Sequence, residues 1–162
     1  MEQIKKVQLP MSELSKLLEL RLGGDGSAVL TVTGSSMVPM LYNWKDQVWL
    51  KKMHRDPKRG DLILYCRANG QYVLHRVVQS EDLVGCICCG DNCCESELVN
   101  RSAILAVVFA FTHKGRYYTV ENRIYRLYAW IWTELMPFRK PILRLRRCLG
   151  RWRRNWRNRS IP

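Results

Sequence analysis

Hydrophobic and polar positions change their spacing twice along the chain. Leucines at near-helical intervals over residues 11–22 predict a short amphipathic helix that ends at Gly23-Gly24. Over residues 25–120 short β-branched and aromatic runs alternate with turn residues, which predicts an antiparallel β-domain. The expected strands are AVLTVT, QVWLKK, DLILYC, YVLHRVV, LVGCICC, AILAVVFAF and RYYTV.

A helical spacing of apolar residues returns after Glu121. Pro137 and Pro141 are expected to break this helix, and a second amphipathic pattern follows them. The two apolar stripes are Ile124, Leu127, Tyr128, Ile131, Trp132 and Leu135, and then Ile142, Leu145, Leu149, Trp152 and Trp156. The predicted fold is therefore mainly β, with a lead-in helix (1–24), a β-rich domain (25–120) and an amphipathic helical tail (121–162).

Charge distinguishes this tail from the rest of the chain. The 162 residues, enough for one core, carry 27 Lys and Arg against 14 Asp and Glu, and ten of the bases follow the last acid, Glu134. An apolar stripe edged by Trp with arginines opposite is typical of a helix at an anionic membrane surface. The residues expected to contact a membrane or a partner protein are Trp130, Trp132, Arg144, Arg147, Trp152 and Trp156. The alternative is that the stripes pack on the β-domain and the arginines are only solvated.

Cysteine usage and hydropathy favour a cytoplasmic protein. The seven cysteines are an odd number, and the N-terminal residues have no apolar leader segment. The longest apolar run, 103–111, is far shorter than the ~20 residues of a spanning helix. Five cysteines lie within 86–94, but their spacing lacks the paired two-residue gaps of zinc knuckles, so we expect them to pack and predict neither metal nor cofactor.

Three short segments carry candidate chemistry. Ser36 lies between Gly34 and Pro39, where the backbone must turn sharply and leave the hydroxyl accessible. His75 lies on a predicted strand, and its imidazole is a base available near neutral pH. Asp91 follows a glycine at a turn, where it could orient an imidazole. Each signal alone is weak, since turn serines, half-buried histidines and capping aspartates are common.

The order of these segments is more specific. SSMVP, KRGDLILY, YVLHRVV and GDN resemble the successive boxes of the type I signal peptidase family, which shares its β-fold with the SOS-type repressor peptidases. The resemblance implies that Ser36 is the nucleophile and that His75 replaces the lysine base of bacterial members. It also implies that Asp91 completes the site. A second acid of the Ser-His branch corresponds to Glu97, so Glu97 and Glu95 stay as alternative acids.

The resemblance also implies a substrate class. Family members cut peptides after small residues at the −1 and −3 positions, with the oxyanion held by the N–H of the nucleophile, here Ser36. The residues expected to contact a substrate are Gly34, Ser35, Met37, Pro39 and Leu74. Members usually carry an N-terminal membrane anchor, whereas the residues before Ser36 include several charges and no apolar span.

We therefore expect a serine endopeptidase that processes a leader or signal peptide, in the cytoplasm or at the inner membrane surface, for example during maturation of a ribosomally made peptide. One alternative is a catalytically idle scaffold that binds peptides. Another is a nucleic-acid-binding protein, either a repressor with a peptidase domain or a protein whose Arg/Trp tail stacks on single strands. The residues before the β-domain are too few for a helix-turn-helix module, which weakens the repressor version. The oligomeric state is not predicted.

Overall fold

The computed structural model describes residues 22, 26–81 and 84–146. Leu22 is helical and buried in the core, while the rest of the predicted helix at 11–22 lies outside the described residues. Arg147, Trp152 and Trp156 of the tail lie outside them as well.

Over the residues that the structure describes, one antiparallel sheet of eight strands forms the body of the protein, which confirms the predicted mainly β fold. The strands pair in the order β1-β2-β7-β3-β4-β5-β6, and β8 pairs with β7. Their bounds are β1 Ser27–Thr31, β2 Gln47–Lys51, β3 Leu62–Cys66, β4 Tyr72–Glu81, β5 Gly85–Cys89, β6 Glu97–Asn100, β7 Ile104–His113 and β8 Arg116–Thr119. A single turn of 3₁₀ helix, Arg101–Ala103, precedes β7.

A tight hairpin connects β3 to β4 and sets the position of His75. Gly70, with φ of +80°, adopts a left-handed conformation that suits glycine, and its N–H bonds the carbonyl of Arg67 at 2.9 Å. The hairpin pairs Tyr65 with Val73 and Ile63 with His75. Since alternate residues of a strand share a face, Tyr65 and His75 lie on the same face of the sheet.

Two hydrophobic clusters are built from residues that alternate along these strands. The first contains Leu41, Leu50, Leu62, Phe111 and Tyr125, together with other apolar residues. The second contains Ile63, Tyr65, Val73, Val77, Cys86, Cys88, Val99 and Val107. Cys86 and Cys88 are fully buried among valines, as expected for cysteines that fill a core.

The segment after β8 is helical, as the spacing predicts. Helix α1, Arg123–Glu134, begins at Asn122, whose side chain accepts hydrogen bonds from the N–H groups of Ile124 and Tyr125. A 3₁₀ turn, Met136–Phe138, follows, and then a further helix that is described over residues 139–146. Pro141 does not interrupt this second helix, because it lies in the first turn, where its missing N–H has no intrahelical partner to lose.

Helix α1 packs on the β-domain through the face opposite to most of its apolar stripe. Tyr125, Ala129 and Thr133 are its buried residues. Tyr128 and Trp132 are half-buried, whereas the rest of the predicted stripe is more exposed. Within the described residues, neither this helix nor any other has the length and apolarity needed to cross a bilayer.

Candidate active site

Ser36 lies in the turn that follows β1. Gly34 has φ of +83°, and its N–H donates to Asn43 Oδ1 at 2.9 Å, which fixes the entry to the turn. Ser36 is partly exposed, and no hydrogen bond occupies its backbone N–H among the described residues. The Ser36 hydroxyl likewise makes no hydrogen bond within the described residues, to His75 or to any other group.

A second turn, after β5, is bonded directly to the serine turn. The Asn92 N–H donates to the carbonyl of Ser36 at 2.6 Å, and Asn92 Nδ2 donates to the carbonyl of Ser35 at 3.1 Å. The two predicted segments SSMVP and GDN thus meet through Asn92 and two adjacent serines that lie more than fifty positions before it in sequence.

His75 faces this junction from β4. A Cβ atom on Gly90 would lie 2.9 Å from His75 Nε2 and 2.7 Å from the carbonyl oxygen of Ser36, so both atoms border the same point. Cys93 Sγ also lies 2.9 Å from that point. Only glycine fits here without displacing the histidine or the serine turn.

The opposite ring nitrogen of His75 contacts a tyrosine and a carboxylate. Nδ1 lies 3.1 Å from the hydroxyl of Tyr65 and 3.4 Å from Glu97 Oε1. Tyr65 donates its hydroxyl proton to Glu97, because an ionised carboxylate only accepts. The tyrosine oxygen is then left to accept a hydrogen bond from His75 Nδ1–H. This arrangement keeps the proton on Nδ1 and leaves the Nε2 lone pair facing the serine turn.

Glu97 is held in place by a third side chain. Arg67 donates from Nε to Oε2 at 2.8 Å and from Nη2 to Oε1 at 2.6 Å, a bidentate pair on the partly exposed side of the site. These bonds keep the pKa of Glu97 below its usual value, against the opposing effect of burial. Glu97 is therefore ionised at neutral pH.

Burial dominates the electrostatics of His75. With its side chain 7% exposed, the pKa of His75 is lowered, chiefly by desolvation, while the negative charge of Glu97 opposes that shift. Burial, followed by the bond to Glu97, raises the pKa of Tyr65, so the phenol stays protonated. The imidazole is consequently neutral and able to accept a proton near pH 7.

Asp91 does not orient His75, so the prediction that it completes the site is wrong. Arg76 follows His75 on β4 and points to the opposite face, where Nε and Nη2 bond the two Asp91 oxygens at 2.9 and 2.8 Å. Both side chains are completely buried. Tyr128 also donates to Asp91 Oδ2 at 3.0 Å. Asp91 thus fixes the turn, and Glu97 is the acid beside the imidazole.

The other alternative acid, Glu95, is exposed, and its carboxylate makes no hydrogen bond within the described part of the chain. Its backbone carbonyl accepts a weak bond from Cys89 Sγ at 3.2 Å. Nothing connects its side chain to His75.

The helical segment after the sheet holds the GDN turn from outside. Trp132 Nε1 donates to the carbonyl of Asp91 at 3.1 Å, and Arg139 Nη1 donates to the carbonyl of Gly90 at 3.0 Å. Arg139 is buried and also lies over the Trp132 ring. Trp132 thus contacts the GDN turn of the site, and the prediction that it belongs to an exposed membrane-binding tail is wrong.

The predicted substrate contacts are divided between surface and core. Gly34 and Ser35 are exposed, and Pro39 and Leu74 are half-buried. Met37 is only 2% exposed and packs in the first hydrophobic cluster. The expectation that Met37 contacts a substrate is therefore wrong, since its side chain instead anchors the serine turn.

Tyr65 and Arg67 are not among the site residues predicted from the sequence. A signal for Tyr65 was present, because the Asn69-Gly70 hairpin aligns β3 with β4 and places an alternate residue of β3 on the face of His75. Arg67 carries no comparable signal, since its partner Glu97 is thirty positions away.

Of the predicted tail residues within the described ranges, Trp130 is 60% exposed and Arg144 is also exposed. Residues 22, 26–81 and 84–146 contain no cluster of three or more His, Cys, Asp or Glu side chains arranged for a metal ion. Searches of family models, curated proteins and solved structures found no match to this chain. The site therefore rests on its own geometry: the backbone carbonyl of the partly exposed Ser36 and the neutral imidazole border one point at Gly90, and a tyrosine joins that imidazole to an ionised carboxylate.

Proposed function

We propose that the protein is a serine endopeptidase of the signal-peptidase type that removes a leader or signal peptide from a precursor. The observation that carries this proposal is the convergence of His75 Nε2 and the Ser36 turn on Gly90, with Nδ1 bonded through Tyr65 to Glu97. A serine, a base and an acid that orients the base are the parts required for acyl transfer.

Cleavage would begin with proton transfer from Ser36 Oγ to His75 Nε2 as the oxygen attacks the carbonyl carbon of the scissile peptide bond. The resulting oxyanion would be held by the free N–H of Ser36. The imidazolium then returns its proton to the leaving amine, and an acyl-serine remains. Water, activated by the same nitrogen, hydrolyses this ester and restores the hydroxyl.

The surroundings of His75 suit a base that is charged only transiently. Burial disfavours the imidazolium and keeps the resting ring neutral, as the lowered pKa indicates. When the ring accepts the serine proton, the ionised Glu97, 3.4 Å from Nδ1, offsets part of that cost. Tyr65 keeps the ring oriented during the transfer.

The substrate in this proposal is a peptide precursor in the cytoplasm or at the inner membrane surface. The turn that carries Ser36 is open beside Gly34 and Ser35, which suits an extended polypeptide more than an enclosed small molecule. Small residues before the cleavage point remain an expectation from the family resemblance.

The test is cleavage of precursor peptides encoded near the gene, and of a generic peptide whose leader ends in Ala-x-Ala, followed by mass spectrometry. Ser36→Ala and His75→Ala should each abolish turnover, since general-base assistance alone contributes about 10² to 10⁴ in rate. Ser35→Ala is the matched control, because Ser35 contributes only its backbone carbonyl to the hydrogen bonds of the site.

Unchanged cleavage by Ser36→Ala would refute the nucleophile. Retained peptide binding without cleavage of any precursor would instead favour the idle scaffold. A covalent adduct at Ser36 with a serine-directed fluorophosphonate, absent in His75→Ala, would support an activated hydroxyl even before the natural substrate is known.

A further inference from the structure

Helix α1 has two faces of different character. Its inward face, with Tyr125, Ala129 and Thr133, is buried against the β-domain. Its outward face is apolar as well, although it lies in water: Ile124 is 79% exposed, Leu127 56% and Ile131 40%. A surface helix normally carries polar residues on its solvent side, so this outward face lacks its usual composition.

Further exposed apolar residues follow α1 along the chain. We define the apolar face as Ile124, Leu127, Trp130, Ile131, Phe138 and Leu145, all of which are at least 40% exposed. These six belong to one helical segment, whereas the other large exposed apolar residues are scattered over the loops and strands. A concentration of this kind marks a surface with a binding partner.

The charges around the apolar face are almost all positive. Arg123, Arg126, Lys140 and Arg144 are exposed on the same segment. The segment contains one acid, Glu134, and its carboxylate is bonded to Arg59 at 2.8 Å. The sequence after residue 146 adds further arginines and no acid. Apolar side chains with Trp at the edge and basic residues beside them match the chemistry of an anionic lipid surface.

We propose that the apolar face docks on an anionic lipid bilayer. The aliphatic and aromatic side chains enter the boundary between headgroups and acyl chains, and the arginines and Lys140 meet lipid phosphates. The face is independent of the candidate active site, because Trp132 and Arg139, which bond the GDN turn, point inward. Docking therefore leaves the contacts of that turn intact.

The test is co-sedimentation of the full chain with vesicles of phosphatidylcholine alone or of phosphatidylcholine with phosphatidylglycerol. The protein should bind the anionic vesicles and release them at high salt. Leu127→Gln should weaken binding at least about tenfold, because it removes a side chain that is buried in the lipid. Arg144→Gln should weaken it roughly fivefold at low salt.

Leu98→Gln is the matched control, because Leu98 is 60% exposed on β6, away from the apolar face. It should bind vesicles as the wild type does, and thermal unfolding should show that all three variants are folded. Equal loss of binding in Leu98→Gln, or no binding of the wild type to anionic vesicles, would overturn the proposal.

Two other occupants of the face give different results. A dimer in light scattering that Leu127→Gln dissociates, without vesicle binding, would assign the face to a second copy of the chain. Salt-dependent binding of single-stranded RNA that is lost in Arg144→Gln but kept in Leu127→Gln, again without vesicle binding, would assign the basic residues to nucleic acid.

Discussion

Asp91→Asn should destabilise the protein severely while leaving the base of the candidate site in place. The substitution removes one charge of an ion pair in which both side chains are completely buried. Arg76 donates to both carboxylate oxygens and Tyr128 donates to one of them. An amide presents one oxygen and one NH₂ group, so in either orientation a donor of Arg76 faces another donor.

The magnitude follows from the burial of the remaining charge. Removing one partner of a buried ion pair costs about 3 to 5 kcal/mol, since the other charge is left without compensation. For a chain of this length that loss corresponds to a fall in the unfolding midpoint on the order of 10 °C. Replacement of Arg76 and Asp91 together by Met and Leu should cost less than Asp91→Asn alone, because no charge is left orphaned.

The assay is chemical denaturation followed by circular dichroism, with Asp56→Asn as the control. Asp56 pairs with Arg101 at the surface, where the two side chains are 69% and 60% exposed, so its loss should cost no more than about 1 kcal/mol. At temperatures where Asp91→Asn is folded, its activity should still rise with pH to a plateau, with the midpoint moved toward lower pH, because the negative charge of Asp91 raises the pKa of His75 without bonding it. A loss below about 1 kcal/mol, or no activity in the folded variant, would show that the assignment of Asp91 to the fold is mistaken.

Three further predictions concern the candidate site. Because the pKa of His75 is lowered, the activity of the wild type should reach half of its maximum below pH 6.5. Glu97→Gln removes a charge that raises the pKa of His75, so it should move this midpoint to still lower pH and reduce the plateau. A midpoint above pH 7 in a pH-rate profile would contradict this prediction. Gly90→Ala should reduce turnover at least about tenfold, since its Cβ would lie 2.7 Å from the backbone oxygen of Ser36. The control is Gly70→Ala, whose Cβ would have no atom within 4 Å. It should cost only about 1 kcal/mol of stability in a melting experiment. Alkylation of Cys93 should block turnover, because Cys93 Sγ and His75 Nε2 each lie 2.9 Å from the position that a Cβ atom on Gly90 would take. Cys93→Ser should therefore stay active after treatment with N-ethylmaleimide. Equal inactivation of the wild type and this variant would place the sensitive thiol elsewhere.

The strands could be predicted because the apolar alternation and the turn residues that define them lie close together in the sequence. Apolar alternation and turn residues located the β-domain, and the Asn69-Gly70 hairpin determined which residues of β3 and β4 share a face. The same alternation separated His75 from Arg76. Applied one step further, it would have predicted Tyr65 beside His75.

The acid could not be chosen from the sequence. Asp91 and Glu97 both follow β5 closely, but their side chains lie on opposite faces of the sheet because each pairs with a different arginine. Asp91 pairs with Arg76, and Glu97 pairs with Arg67. Such pairing depends on which strands become neighbours, and no local pattern records it. The exposure of the α1 stripe was equally inaccessible, since periodicity reveals that a face is apolar but not what covers it.

The contacts that close the GDN turn also have a consequence for the order of folding. Tyr125 reaches Arg76 across 49 residues, and Trp132 reaches Asp91 across 41. Such distant contacts form only after the intervening chain has lost its freedom, whereas the β3–β4 hairpin closes over a few residues. The hairpin that carries the imidazole is therefore expected to form early, with Arg76 and Asp91 still hydrated until α1 covers them. A chain in which α1 has not yet docked would contain the chemical groups of the site but would lack the packing that holds them in their relative positions.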